Sequence, residues 1–102
     1  MRAAEHNVDA VLSAPETIIA ATRAEFRAAA LAHLEALGPT ARAMIIDLGN
    51  TSELDASGLG ILVLIQKRAK ERGLSTHLRR TPERVHNLLK LTMLDFLFEL
   101  TD

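Results

Sequence analysis

The chain contains no cysteine, no tryptophan and no tyrosine, and only three of its 102 residues are aromatic. The lack of cysteine excludes disulfides, thiol nucleophiles and cysteine-ligated metals. Neither sign of charge prevails, because 12 basic and 13 acidic residues give a formal net charge of −1. This balance does not draw the whole molecule toward nucleic acid or anionic lipid, and we expect no direct nucleic-acid partner.

Long apolar runs are also lacking. No stretch of the sequence is long enough to span a bilayer. The first residues, 1–6, lead into no apolar segment of the kind that a secretory signal contains. We therefore expect a soluble, cytoplasmic protein without membrane insertion.

The composition does provide the material for one hydrophobic core. Hydrophobic residues make up 48% of the chain and charged residues 25%, so the chain is not disordered by composition. The length suits a single domain over residues 1–102. No internal repeat, low-complexity tract or linker interrupts it.

Five short segments have the apolar and β-branched character of strands. They are residues 8–12, 17–19, 44–48, 75–78 and, as either a strand or a packing tail, 96–100. The third of these is apolar except for one aspartate, which is typical of a central strand buried on both faces. The first two are expected to form a hairpin, the second of them near an edge of the sheet.

Three segments predict helices, namely residues 22–37, 58–72 and 81–91. Thr22 and Glu25 have the spacing of a capping box. The second helix begins with apolar residues around too much of its circumference for one buried face, which favours a partner surface there. The sequence thus predicts an α/β domain in which a mixed β-sheet of about 4–5 strands is flanked by about 3–4 helices.

The stretch Asp55-Ala56-Ser57-Gly58-Leu59-Gly60 lies between a predicted strand and the second predicted helix. From the residues alone, Ser57 is either a helix cap or a site for phosphate chemistry at a helix N-terminus. Asp55 is an alternative cap for the same helix. The two glycines leave the nearby backbone open to the close approach of another group.

No catalytic motif is complete in this stretch. A nucleophile elbow needs a glycine two residues before the serine, and Asp55 stands there. The two glycines lack the third glycine of a dinucleotide fingerprint and the lysine of a P-loop. The four histidines show no metal-ligand spacing. We therefore expect no enzyme activity, no catalytic residue, no metal and no cofactor.

The run over residues 44–64, with Asp47-Leu48 and then residues 54–60, resembles the signature of STAS domains. More narrowly it resembles that of the anti-sigma factor antagonists, in which an aspartate and a small residue precede a phosphorylatable serine and a Gly-x-Gly sequence. Weaker matches lie at residues 20–27, 71–73 and 88–94. The resemblance extends from Val11 onward and implies a STAS-like fold.

The resemblance further implies a partner switch. The unphosphorylated chain would bind an anti-sigma factor that is also a serine kinase, this kinase would use ATP to phosphorylate Ser57, and a phosphoserine phosphatase would restore the binding form. One of Leu59 and Leu62 is expected in the core and the other at the contact. The predicted partner surface consists of Asn50, Thr51, Ser52, Asp55, Ala56, Ser57, Gly58, Leu59 and Leu62.

Two positions depart from the antagonist pattern. Ile19 stands where an aspartate is common before the first helix, and Met93 stands where a glycine is common after the last one. A residue other than glycine is expected to need a different route out of that helix. The alternative function is a STAS subunit of a lipid-transport complex or a stress-signalling scaffold, in which Ser57 is structural.

Overall fold

The structure, a computed structural model, describes residues 10–101 and has the predicted α/β class. A single turn of 3₁₀ helix, Asp95–Leu97, precedes the last strand. The strands of this part of the chain are β1 (Val11–Ser13), β2 (Thr17–Ile18), β3 (Ala43–Asp47), β4 (Glu53–Leu54), β5 (Ser75–Arg79) and β6 (Glu99–Thr101), and its helices are α1 (Arg23–Ala36), α2 (Ala56–Glu71) and α3 (Glu83–Leu91).

The strands form two separate sheets. One has the order β1-β3-β5-β6, and the other consists of β2 and β4. Every strand pair within residues 10–101 is parallel. The predicted N-terminal hairpin is wrong, because β1 pairs with β3 and β2 with β4, and the antiparallel pair of a mixed sheet is not found in this range. Residues 8 and 9 of the first predicted strand lie outside the described part.

All three helices cover the same face of the larger sheet. Each step from one strand to its neighbour passes through a helix, α1 between β1 and β3, α2 between β3 and β5, and α3 between β5 and β6. Parallel crossovers are right-handed, so an order that always advances in one direction keeps the helices on one side. Met44, Ile46 and Leu78 are fully buried in the resulting core, together with Leu62 of α2 and Leu89 of α3.

The ends of α1 and α2 are tied together. Arg72, directly after α2, donates hydrogen bonds to the carbonyl oxygens of Leu34 and Leu37 at the end of α1. A guanidinium there satisfies free carbonyls and opposes the negative end of the helix dipole. None of the helices within residues 10–101 is both long and apolar enough to cross a bilayer.

Two expectations about helix ends are wrong. Thr22 is the N-cap residue of α1, but its hydroxyl accepts from Ile19 N at 3.1 Å instead of capping the helix, so the capping box does not form. After α3, Met93 adopts a left-handed conformation with φ of 59°. This is the route that a glycine would take, and Gly73 takes it after α2 with φ of 77°.

Candidate functional site

Asp55 holds the N-terminus of α2. Its Oδ1 atom accepts a hydrogen bond from Gly58 N at 2.9 Å, three residues on, as an N-cap does. Its Oδ2 atom accepts another from Ala20 N at 3.1 Å, in the loop between β2 and α1. These bonds favour the ionised form, and the bond from Gly58 is the largest cause that lowers the pKa of Asp55. Asp55 therefore carries a negative charge and joins the starts of two helices.

Gly58 is required by the close packing of α2 against β2. A Cβ atom at this position would lie 1.9 Å from the carbonyl oxygen of Ile18. The group that approaches Gly58 thus belongs to the chain itself. Gly60 differs, since it is exposed and a Cβ there would meet no atom within 4 Å.

Ser57 is the second residue of α2 and is half-buried. It is not the cap of the helix, because Asp55 has that position. Among residues 10–101 we find no hydrogen bond that its hydroxyl makes. Small exposed residues adjoin it, Ala56 beside it in sequence and Gly60 one turn later. We call Ala20, Asp55, Ala56, Ser57 and Gly60 the Ser57 surface.

The polar turn before β4 is held by hydrogen bonds to the loop that precedes β2. Thr51 is buried, and its hydroxyl donates to the carbonyl oxygen of Pro15 at 2.7 Å. The N–H of Ser52 donates to Glu16 O at 2.9 Å. Because β4 and Asp55 separate this turn from α2, Ser52 lies roughly 10 Å from Asp55 along an extended chain.

Asp47, which belongs to the STAS-like run of residues 44–64, is the last residue of β3. Its carboxylate accepts from Arg80 Nε, at 3.1 Å to Oδ1 and 3.0 Å to Oδ2, and Oδ1 also accepts from Gly49 N at 2.7 Å. The hydrogen bond from Arg80 is the main cause that lowers the pKa of Asp47, against the opposing effect of burial. This buried carboxylate therefore has a structural partner in Arg80.

The predicted partner residues divide by exposure. Asn50, Ser52, Asp55 and Ala56 are exposed, and Ser57 is half-buried. Both leucines, Leu59 and Leu62, belong to the core, so the expectation that one of them is a contact residue is wrong. Four of the predicted partner residues are buried, namely Thr51, Gly58, Leu59 and Leu62.

Sequence reasoning missed Ala20 and Arg80. The antagonist pattern pointed to the loop of Ala20 only through the departure at Ile19, one residue earlier. Nothing in the local sequence of Arg80 indicates its bond to Asp47, which depends on the alignment of β3 with β5. Within the described range, no cluster of three or more histidine, aspartate and glutamate side chains could hold a metal ion.

A family model for the STAS domain matches residues 1–102. Three solved structures have the same fold. One is a candidate anti-sigma factor antagonist from Thermotoga maritima, with 22% identity over 90% of this chain and 79% of that chain, and a TM-score of 0.75. An anti-sigma-factor antagonist (STAS) domain protein from Planctomyces limnophilus has 21% identity over 92% of this chain and 82% of that chain, with a TM-score of 0.80.

The third is a sulfate transporter family protein from Wolinella succinogenes, with 15% identity over 93% of this chain and 77% of that chain, and a TM-score of 0.76. At these identities the likeness is one of fold. The predicted STAS-like fold is confirmed.

Proposed function

Since the chain belongs to the STAS domain family, we propose that it is an anti-sigma factor antagonist that binds its partner through the Ser57 surface. In this proposal the partner is an anti-sigma factor with serine kinase activity, and binding releases a sigma factor. The chain acts in the bacterial cytoplasm by binding and not by catalysis. The likeness in fold to the two antagonist structures, from Thermotoga maritima and Planctomyces limnophilus, supports the general role.

The observation that carries the proposal is the position of Ser57 itself. The serine is partly accessible in the first turn of α2, while Asp55 performs the capping that would otherwise explain a serine there. The neighbouring Ala20, Ala56 and Gly60 are small and exposed, so a kinase or a partner backbone can approach the hydroxyl closely. This combination favours a modified residue over a structural one.

Phosphorylation would change the charge of this surface abruptly. A phosphate adds about −1.5 to −2 charges at neutral pH. Asp55, whose pKa is lowered, is already ionised beside it and occupies the N–H of Gly58. The helix end can therefore compensate less of the added charge than a vacant N-terminus would. The phosphate would meet the partner as a poorly compensated charge that the contact must desolvate, and the complex would separate.

The test is phosphorylation followed by binding. The purified chain is incubated with the candidate kinase and ATP, and the phosphate is mapped by mass spectrometry. We expect it on Ser57. In calorimetry, Ser57→Asp should weaken binding by at least about tenfold, which corresponds to roughly 1.4 kcal/mol. Ser57→Ala should bind but not accept phosphate, and a phosphoserine phosphatase should restore binding to the phosphorylated chain.

Ser75→Asp provides a control, because Ser75 is an exposed serine at the start of β5, beyond the other end of α2. It should leave the affinity unchanged. Phosphate on Ser52 or Thr51, or on no residue, would contradict the switch. The alternative is a permanently bound STAS subunit. It would be supported if the chain bound stably to a transport complex or a signalling scaffold and Ser57→Asp left that binding unchanged.

A further inference from the structure

Two arginine side chains contact the polar turn that follows β3. Arg80, directly after β5, lies so close to the backbone of Gly49 that a Cβ atom there would collide with its guanidinium. Arg84, in the first turn of α3, donates from Nη1 to the carbonyl oxygen of Ser52 at 3.3 Å. We call Gly49, Asn50, Ser52, Arg80 and Arg84 the basic turn, and it shares no residue with the Ser57 surface.

Arg80 is held in one orientation and still has unused donors. Its φ of 50° lies in the left-handed region that favours glycine, so arginine is favoured there only through what its side chain binds. Its Nε atom donates to both carboxylate oxygens of Asp47, and the guanidinium is packed on Gly49. Within residues 10–101 its Nη atoms make no hydrogen bond, and the side chain is 58% exposed. These atoms are therefore positioned and open to a partner.

Arg84 and Asn50 supply further donors. Arg84 is exposed, and within the described range its Nε and Nη2 atoms make no hydrogen bond. Thr51 N donates to Leu48 O at 3.0 Å, which closes the turn and makes Asn50 one of its central residues. Asn50 is exposed, and its side-chain amide is another donor. The basic turn therefore presents unused donors from three side chains.

We propose that the anti-sigma factor places an aspartate or glutamate side chain against the basic turn. This inference rests on the proposed function and adds the chemistry of the partner's surface. A carboxylate only accepts hydrogen bonds, and its two oxygens match the fork of a guanidinium. Asp47 offsets the charge of Arg80, so the charge of Arg84 remains for one carboxylate. None of the five residues is aromatic, so the basic turn offers no ring on which a nucleotide base could stack.

The basic turn and the Ser57 surface fit within one contact. Ser52 and Asp55 are separated by roughly 10 Å of extended chain. A standard interface covers about 800 Å² of each partner, which is a patch roughly 30 Å across. The two surfaces then have separate tasks, since the exposed arginines attract an acidic partner as it approaches and Ser57 decides whether it stays.

The experiment measures the binding of the candidate kinase to Arg84→Gln and Arg84→Glu, by calorimetry and by stopped-flow association. Arg84 is the residue to change, because Arg80 also holds Asp47. We expect Arg84→Gln to weaken binding by about threefold to tenfold and Arg84→Glu by about tenfold or more, mainly through slower association. Added salt should weaken the unaltered chain more than Arg84→Gln.

Arg42→Glu is the matched control. It makes the same change of charge at an exposed arginine just before β3, at the opposite end of that strand from the basic turn. This variant should bind as the unaltered chain does. Equal effects of Arg84→Glu and Arg42→Glu would mean that net charge alone matters, and would overturn the proposal.

The remaining outcomes separate this proposal from the switch. If Ser57→Asp weakens binding and Arg84→Glu does not, the basic turn is not part of the contact, and the switch stands. If Arg84→Glu weakens binding and Ser57→Asp does not, the basic turn is supported and the switch is contradicted. A chain that binds no such kinase contradicts both. Saturable binding of ATP to the isolated chain that Arg84→Gln removes would assign the basic turn to a nucleotide and overturn the proposal.

Discussion

Gly58 and Gly60 stand one residue apart in α2, but their surroundings are opposite. A methyl group at Gly58 would collide with the backbone of β2, whereas one at Gly60 meets open space. We expect Gly58→Ala to lower the free energy of unfolding by about 1–3 kcal/mol, because the backbone must move. Gly60→Ala should raise it by about 0.5–1 kcal/mol, since alanine is the better helix former.

Urea denaturation of the two variants measures this difference. Each variant is the control for the other, because both add the same methyl group to the same helix. Equal changes in stability would mean that α2 does not pack on Ile18 as described. If Gly60→Ala becomes more stable but loses affinity for the partner, the loss assigns Gly60 to the contact.

Asp47 should determine part of the acid stability of the protein. Its pKa is lower in the folded chain than the usual value of about 3.9, chiefly because Arg80 donates a hydrogen bond to it. A lowered pKa stabilises the fold above about pH 4, and this contribution is lost as the pH falls through the folded pKa. Asp47→Asn should therefore be less stable at neutral pH and should lose less stability on acidification.

Urea midpoints measured from neutral pH to below about pH 3 compare the two proteins. Arg80→Gln removes the main cause of the shift while it leaves the carboxylate in place. This variant should raise the pKa of Asp47, so its urea midpoint should depend less on pH over the same acidic range. An acid profile that is identical in all three proteins would exclude Asp47 as a contributor.

At the scale of elements, α2 and α3 end in the same way with different residues. After α2, Leu74 N bonds to Ala69 O and Gly73 N to Lys70 O, and after α3, Leu94 N bonds to Leu89 O and Met93 N to Lys90 O. The left-handed position costs a residue other than glycine about 1–2 kcal/mol. The side chain of Met93 is 76% exposed and recovers little of this by packing.

Met93→Gly should therefore raise the free energy of unfolding by about 0.5–1 kcal/mol, after the larger entropy loss of glycine on folding is subtracted. Gly73→Ala should lower it by a similar amount. Thermal or urea unfolding of the two variants gives the comparison. A loss of stability in Met93→Gly would indicate that the methionine side chain makes contacts that stabilise the fold.

Local sequence determines the bounds of the helices but not the pairing of the short strands. The bounds of α2 and α3 follow from apolar patterns and stop signals that lie within each helix, and the prediction placed them within about two residues. The pairing of β2 with β4 brings together two-residue strands that are distant in sequence, and no local pattern indicates it. Thr22 does not cap α1 with its side chain, because its hydroxyl bonds instead to Ile19 N and to the carbonyl oxygen of Thr17.

The candidate site was predictable to a similar degree. The motif around Ser57 predicted the start of α2 to within about two residues, and the role of Ser57 stays a prediction. It did not distinguish which of Asp55 and Ser57 is the cap, because that depends on the backbone geometry at Asp55. Nor did it reveal that Leu59 and Leu62 are both buried, since α1 and the sheet together cover more of α2 than one face.

On the scale of the whole molecule, one core connects α1, α2 and α3. Leu62 in α2 and Leu89 in α3 are both fully buried in the same cluster. We expect Leu62→Ala and Leu89→Ala each to lower the free energy of unfolding by about 2–5 kcal/mol in a single transition. Far-UV circular dichroism and an NMR probe in α1 should report the same urea midpoint. A separate early transition in Leu89→Ala would contradict a single core.

The bond between Ala20 and Asp55 has a consequence for the protein while it is being synthesised. The two residues are 35 positions apart, so Ala20 leaves the ribosome well before the other four residues of the Ser57 surface. Neither part is held in place until α2 has emerged and the bond between Ala20 and Asp55 can form. A chain whose α2 has not yet left the ribosome therefore has no complete surface to offer the partner.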